Sequence, residues 1–182
     1  MLMTVTELRQ YVNTDETDQV LEAMLQALEL SIRAYTNNNF QVRPFRAVAV
    51  AIGHTLFVNT TVPFKAGDTL QITESELQDN ALVTVESVDD GTITVKEALY
   101  DESAVVITKV SYPADVKMGV VNMLKWELDN RDKVGVASET ISRHSVTYFD
   151  MTGDNSTIGY PKAVLGFLRP YKRARFGQGL RV

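Results

Sequence analysis

The sequence predicts an α+β protein: a small helical bundle formed from N- and C-terminal halves, with an antiparallel β-rich module inserted between them. Three observations predict it. Apolar residues recur at spacings of three and four near both ends, at Val20, Leu21, Met24, Leu25, Leu28, Ile32 and Tyr35, and again at Val116, Val120, Met123, Leu124 and Leu128. Between residues 45 and 112 that period gives way to alternation rich in Val, Ile and Thr, broken by turn residues. Neither helical piece alone has enough apolar surface for a core of its own, so the two are expected to pack together. The expected boundaries are 1–44 for the N-terminal helical half, 45–112 for the inserted β module, 113–169 for the C-terminal helical half with a short hairpin, and 170–182 for a basic tail.

Taken in order, Thr4 with Glu7 three residues on has capping-box spacing and predicts a short helix through Leu8, Tyr11 and Val12. Asn13 to Asp15 break it. The second helix is capped by Thr14 or Asp15, places Glu16 and Asp18 at its positive end, and leaves at Asn37, Asn38 and Asn39. Six strands are expected, at Ala47 to Ile52, Thr55 to Asn59, Thr69 to Glu74, Leu82 to Val88, Thr92 to Glu97 and Ala104 to Val110, with Asp90-Gly91 as a tight hairpin turn and Gly67-Asp68 as a weaker one. Pro113 suits the first turn of the next helix, which Asn130 to Gly135 end. In Ser138 to Asp150, His144, Val146 and Tyr148 alternate with Ser145, Thr147 and Phe149 as a hairpin arm would. Met151 to Gly159 is a polar loop. Pro161 opens a last short helix through Leu168, and Pro170 stops it because its ring removes a donor and restricts Arg169.

The composition, 182 residues with 45% hydrophobic and 23% charged, is that of an ordinary globular protein and excludes collagen-like, coiled-coil and wholly disordered chains. Cysteine is absent, which removes disulfides, thiolate metal sites and cysteine nucleophiles and fits synthesis in a reducing compartment. No stretch is apolar enough to cross a bilayer, and the first ten residues lack a basic-then-apolar leader, so synthesis in the cytoplasm is expected. The formal charge of −5 is unevenly spread. Residues 162–182 hold six basic residues and no acidic one, leaving twelve basic against twenty-three acidic residues before them. An acidic body with a basic end suggests an interaction arm.

Catalytic, metal and cofactor-binding constellations are expected to be absent. The two histidines, His54 and His144, lie far apart, and neither has a second ligand at helical spacing. No Gly-x-Ser-x-Gly elbow occurs. Asp150, Asp154 and Asn155 around Gly153 lack the alternating oxygens of a calcium loop and read as a solvated turn, and Gly177 and Gly179 make only half of a dinucleotide fingerprint. Glu74, Glu76, Glu86, Asp89 and Asp90 read as a solubilising strand face. The run from Tyr171 to Phe176 (YKRARF) interleaves two aromatics with three cations. That composition fits a strip that tracks phosphates and stacks bases, and equally an arm that docks on an acidic protein surface.

Several segments together resemble one family: the opening Thr4 to Tyr11 (TVTELRQY), the helix ending at Ala34 to Asn37 (AYTN), Tyr112 to Gly119 (YPADVKMG), Ser138 to Tyr148 (SETISRHSVTY), Tyr160 to Leu165 (YPKAVL) and Leu168 to Phe176 (LRPYKRARF). They are similar to the head-tail connector, or adaptor, proteins of long-tailed bacteriophages. The resemblance covers the two flanking halves and leaves out the β module, which departs from the short helical members. It implies a structural, non-catalytic virion protein at the head-tail interface. Such a protein forms a ring, typically a dodecamer, under the portal, while remaining monomeric in solution until a template arrives. It implies the portal protein and the next neck or tail connector as partners, DNA passing through without specific binding, and no membrane. It also implies a portal-facing arm of Arg169, Tyr171, Lys172, Arg173, Arg175 and Phe176. Ser138, Glu139, Arg143, His144 and Tyr148 are candidates for contacts between subunits. The alternative is a nucleic-acid-binding module that uses the basic aromatic end.

Overall fold

The computed structural model describes residues 2–59, 63–130, 138–141, 144–147 and 156–174, with the backbone alone at 138–141 and 144–147. The chain divides into two compact units, one of Asn39–Tyr112 and one of Leu2–Asn38 with Pro113–Val182.

In the first unit, β1 (Gln41–Ile52), β2 (Thr55–Val58), β3 (Thr69–Thr73), β4 (Leu82–Asp89), β5 (Thr92–Val95) and β6 (Glu102–Val110) form a closed barrel in the order β1-β2-β5-β4-β3-β6, antiparallel throughout. Alternation produces the interior. Ala47, Ala49 and Ala51 of β1 point inward with Leu56, Leu70, Ile72, Val85, Ile93, Val95 and Ile107, all buried. Small residues on one strand and branched ones on the others fill a narrow barrel, leaving side chains and not a channel at its centre. Closure comes from β1 pairing with β6 from Gln41↔Val110 to Ala51↔Glu102, with a register shift between Gln41 and Arg46. Pro44 lies in that shift, where a residue without an N–H does least harm to the ladder. At the β4–β5 hairpin Asp89 pairs with Thr92, and Gly91 takes φ +70°. A side chain on Gly91 would also meet the Val58 carbonyl at 3.3 Å.

The second unit holds α1 (Val5–Leu8), α2 (Asp18–Thr36), α3 (Ala114–Asn130), the hairpin of β7 (Ser138–Ile141) and β8 (His144–Thr147), the two-residue ladder of β9 (Ser156–Thr157) and β10 (Tyr160–Pro161), and a 3₁₀ helix at Gly166–Tyr171. Thr4 caps α1 by accepting from the Glu7 N–H at 3.1 Å. The cap of α2 is Thr17, whose hydroxyl accepts from Val20 N–H at 3.4 Å, and not the expected Thr14 or Asp15. Leu21, Leu25, Leu28 and Ile32 make its buried face. Gly119 of α3 stands against the Phe167 ring so closely that a Cβ there would lie 2.4 Å from ring carbons.

The expected fold class is therefore corrected. A closed six-stranded barrel dominates the chain, further strands follow α3, and the protein is mainly β, not a helical bundle carrying a β module. Two physical reasons account for the error. α1 is a single turn that already ends at Leu8, with Arg9 as its C-cap, short of the expected Tyr11 and Val12, so it cannot present a full face. The last expected α-helix is not one: Pro161 lies in the β10 ladder, Ile158 and Gly159 both take positive φ in the turn before it, and the chain then runs as a 3₁₀ helix. Pro170 lies inside that helix and does not stop it at Arg169.

Candidate partner-docking site

The end of α2 positions the basic segment. A helix leaves its last carbonyls without intrahelical partners, and the sequence meets this with three asparagines. Asn37 adopts the left-handed conformation at φ 50°, and the Asn38 N–H returns to the Arg33 carbonyl at 3.2 Å. That exit turns two side-chain amides toward the chain after Leu168. Asn38 Nδ2 donates to the Tyr171 carbonyl at 3.2 Å, and Asn37 Nδ2 donates to the Ala174 carbonyl at 3.0 Å. Between them the Arg173 N–H donates to the unused Thr36 carbonyl at 2.8 Å.

Side chains complete the attachment. The Tyr171 hydroxyl donates to both carboxylate oxygens of Asp115 in the first turn of α3, at 2.8 and 2.9 Å. That bond holds the phenol above the usual tyrosine pKa, with a smaller push from partial burial. The Lys172 ammonium sits 3.7 Å from the centroid of the Tyr35 ring. Leu165 and Leu168 are buried beneath, so the 3₁₀ helix is fixed by packing on one side and by these bonds on the other. Arg169, Lys172 and Arg173 remain exposed. Cations at this end also complement the negative pole of α2.

Of the expected arm, the structure brings Arg169, Tyr171, Lys172 and Arg173 together, while Arg175 and Phe176 lie outside the described residues. Ser138, Glu139 and His144 fall on the β7–β8 hairpin, where Ser138 pairs with Thr147, Glu139 with Val146 and Ile141 with His144. Arg143 and Tyr148 lie outside the described residues, as do Asp150, Gly153, Asp154, Asn155, Gly177 and Gly179. Sequence reasoning missed Tyr35, Asn37, Asn38 and Asp115 as the residues that hold the arm. The asparagine run was legible as a helix exit, but nothing in it shows which carbonyls its amides meet.

Several polar groups outside this segment have structural employment. His54 Nδ1 lies 3.3 Å from the Val95 carbonyl. Glu74 pairs with Arg46 at 2.8 Å. Glu102 accepts from the Ser75 hydroxyl, the Glu76 N–H and the Gln78 amide, which holds its carboxyl below the usual range, the Ser75 bond most of all. Among the described residues no three His, Asp or Glu side chains gather where they could hold a metal, and no helix is long and apolar enough to cross a membrane.

No family model and no curated protein matches the chain. Among solved structures it is similar to a chain of the "Neck of empty GTA particle computed with C6 symmetry", at 11% sequence identity and a TM-score of 0.35, over 98% of this chain and 93% of that one. A likeness at that level carries no assignment, so the functional reading stands on the residues.

Proposed function

We propose that the chain is a structural head-tail connector: a subunit that forms a ring under the portal of a phage-type virion, extends the DNA channel and offers a platform to the next neck or tail protein. It is made in the host cytoplasm and is not an enzyme. The observation that carries the reading is the fastening of Tyr171 to Ala174 onto the end of α2, which leaves Arg169, Lys172 and Arg173 exposed on a fixed base. The sequence resemblance of the flanking segments supports it.

The same geometry favours a protein surface over nucleic acid as the partner of these cations. A base-stacking strip needs open aromatic faces. Here Lys172 lies over one face of the Tyr35 ring, and the Tyr171 phenol is held in place by Asp115. A conduit must also release its cargo, and each phosphate paired with a basic residue adds salt-dependent affinity. A ring with several such cations per subunit turned toward the channel would retain DNA. A net charge of −5 per subunit would instead repel DNA from the body of a ring.

Co-sedimentation with portal rings from the same source tests the reading. Full-length protein is expected to bind saturably, and the triple charge reversal R169E/K172E/R173E is expected to lose most of that binding. Absence of binding by the full-length protein to intact portal overturns the connector assignment. Binding untouched by the reversal keeps it and removes the arm.

A further inference from the structure

The turn between β9 and β10 goes against its own local preference. Thr157 pairs with Tyr160, so Ile158 and Gly159 form a two-residue hairpin turn, with φ +50° and +82°. Positive φ at both central positions selects Asn or Asp followed by Gly. Gly159 meets that demand. Ile158 does not, because a β-branched side chain in the left-handed region is crowded against its own backbone. Among the described residues it is the only β-branched one at positive φ. Its side chain is also 41% exposed, so burial offsets the strain only in part. Strain of this kind collects where a side chain is used.

Ile158 borders an open hollow of about 570 Å³, together with Ala34, Tyr35, Asn37, Lys172 and Arg173. The lining has two chemistries. Ala34 and Ile158 are apolar and exposed. Beside them, Lys172 and Arg173 sit on a backbone fastened at Tyr171 by Asn38, at Arg173 by the Thr36 carbonyl and at Ala174 by Asn37. Lys172 lies over the Tyr35 ring, and neither cation has a carboxylate partner among the described residues.

We propose that this hollow is where the basic segment recognises its partner, and that its occupant is a protein segment carrying a carboxylate next to an apolar side chain. The carboxylate meets Lys172 and Arg173, and the apolar side chain rests on Ile158 and Ala34. Charge complementarity calls for the acid, since two cations lining one hollow repel each other until an anion sits between them, and the arginine fork can take a carboxylate by two bonds. The apolar floor favours a peptide over a nucleic-acid backbone, which brings phosphates without an apolar side chain; an apolar centre with a charged rim is the usual anatomy of a protein contact. That the segment belongs to the portal rests on the connector reading. The strain at Ile158 then has a use: an asparagine there would suit the turn and leave the floor polar.

Two readouts on the full chain test this. In amide NMR spectra the probe acetyl-Leu-Glu-Leu-Glu-amide is expected to shift Ile158, Lys172 and Arg173 saturably. It should bind about fivefold or more tighter than the Leu-Gln and Ser-Glu counterparts, which lack its carboxylates or its apolar side chains. In co-sedimentation with portal rings, Ile158→Asn and Ala34→Glu are each expected to weaken binding by about tenfold, the first by removing the apolar contact and the second by placing a carboxylate of the chain's own in the hollow. Ile158→Asn suits the turn, so its denaturant midpoint is expected not to fall. A probe that shifts none of these amides, or binds no tighter than its counterparts, overturns the proposal. So does portal binding that both single variants leave intact while R169E/K172E/R173E abolishes it; the connector reading then stands without the hollow. Probe binding without any portal binding by the full-length protein overturns the connector reading and keeps the hollow. A lowered midpoint in Ile158→Asn overturns the use of Ile158 in binding, since its side chain is then held for the fold's own packing. A short DNA duplex that shifts the same amides more strongly than the probe at physiological salt overturns the choice of a protein partner. Unchanged circular dichroism of Ala34→Glu excludes misfolding as the cause of its loss.

Discussion

Each of the two units owes its internal cohesion to a different mix of interactions. The Asn39–Tyr112 unit is closed by main-chain ladders, and its interior is a continuous set of apolar side chains, three alanines of β1 against branched aliphatics of the other strands. The other unit has an apolar core of its own, with Leu21, Leu25, Ile32, Val120, Met123 and Leu124 fully buried, and adds side-chain ties that cross long stretches of sequence: Tyr171 to Asp115, Asn38 to Tyr171, Tyr160 to Glu127, and Lys117 to Glu7 at 3.4 Å. A ladder distributes its stability over many equivalent bonds, so its weak points are in the core. A single tie acts at one place, so the second unit, besides its core, has local weak points at named polar pairs and close contacts.

The largest effect is therefore expected from a core truncation in the barrel. Ile107 is fully buried, and Ile107→Ala removes methylenes from a narrow, filled interior that has little room to collapse. It should cost about 2–5 kcal/mol, read as a lowered denaturant midpoint. A loss under about 1 kcal/mol, within the ordinary cost of a volume-conserving swap, would mean that the barrel interior is not tightly packed.

In the other unit the corresponding break is steric. Gly119→Ala gains helix propensity of about 1 kcal/mol but drives a Cβ into the Phe167 ring. Displacing that ring should reverse the balance, for a net loss of about 1–2 kcal/mol. The sign is expected to flip in a Phe167→Ala background, where the propensity gain alone remains. That flip in a double-mutant cycle distinguishes a close contact from a general intolerance of the position. Additive effects would show that Phe167 does not rest on α3.

This contrast also explains what could be read in advance. Each of the six barrel strands was legible, because alternation and turn residues are local signals; the largest miss was the first six residues of β1, where Pro44 interrupts the pattern, beside Asp89 of β4 and Glu102 and Ser103 of β6. That the strands close into a barrel was not legible, since the β1–β6 pairing joins residues about sixty apart and no local signal encodes it. The second unit was overread. Proline at 161 and apolar residues at helical spacing suggested a helix, but those residues are placed by Ile158-Gly159 and by the side-chain ties instead. For the candidate site, the cations Arg169, Lys172 and Arg173 stood out by charge alone. Their anchors did not, because an asparagine at a helix end looks the same whether or not its amide has a distant carbonyl to meet.

A smaller and pH-dependent effect should separate two tyrosines. Tyr160 is buried, and its hydroxyl donates to Glu127, so burial first and that carboxylate second push its pKa well above the ordinary tyrosine value. The folded state therefore favours neutral Tyr160. Its contribution is fully present below the unfolded tyrosine value and is lost as pH rises above it, because the unfolded chain gives up the proton first. From about pH 9 to about pH 11 the denaturant midpoint should fall, and Tyr160→Phe should flatten that fall at the cost of one hydrogen bond. Tyr171, raised by its bond to Asp115 but largely open to solvent, should contribute a shallower slope. Equal slopes in Tyr160→Phe and Tyr171→Phe would mean that Tyr160 is hydrated in the folded protein.

The smallest effect on stability, and the sharpest test of how the arm is held, is expected at Asn37. Glycine accepts φ 50° without the penalty that a side chain carries there, so Asn37→Gly relieves a few tenths of a kcal/mol at the helix exit. It also removes the Nδ2 donor to the Ala174 carbonyl, an exposed hydrogen bond worth about 0.5–1.5 kcal/mol. The two nearly cancel in global unfolding, and the midpoint should move little. They do not cancel locally, because the relief belongs to α2 and the lost bond belongs to the basic segment. Hydrogen exchange or limited proteolysis next to Ala174 should therefore accelerate in Asn37→Gly while the exchange of α2 is unchanged. Asn38→Ala should do the same at Tyr171, together with a real loss of stability, since the buried Asn38 has no compensating gain. If neither variant loosens the segment, then Tyr171–Asp115 and Lys172–Tyr35 hold the arm without the asparagines, and the attachment lies in its side chains and not in its backbone.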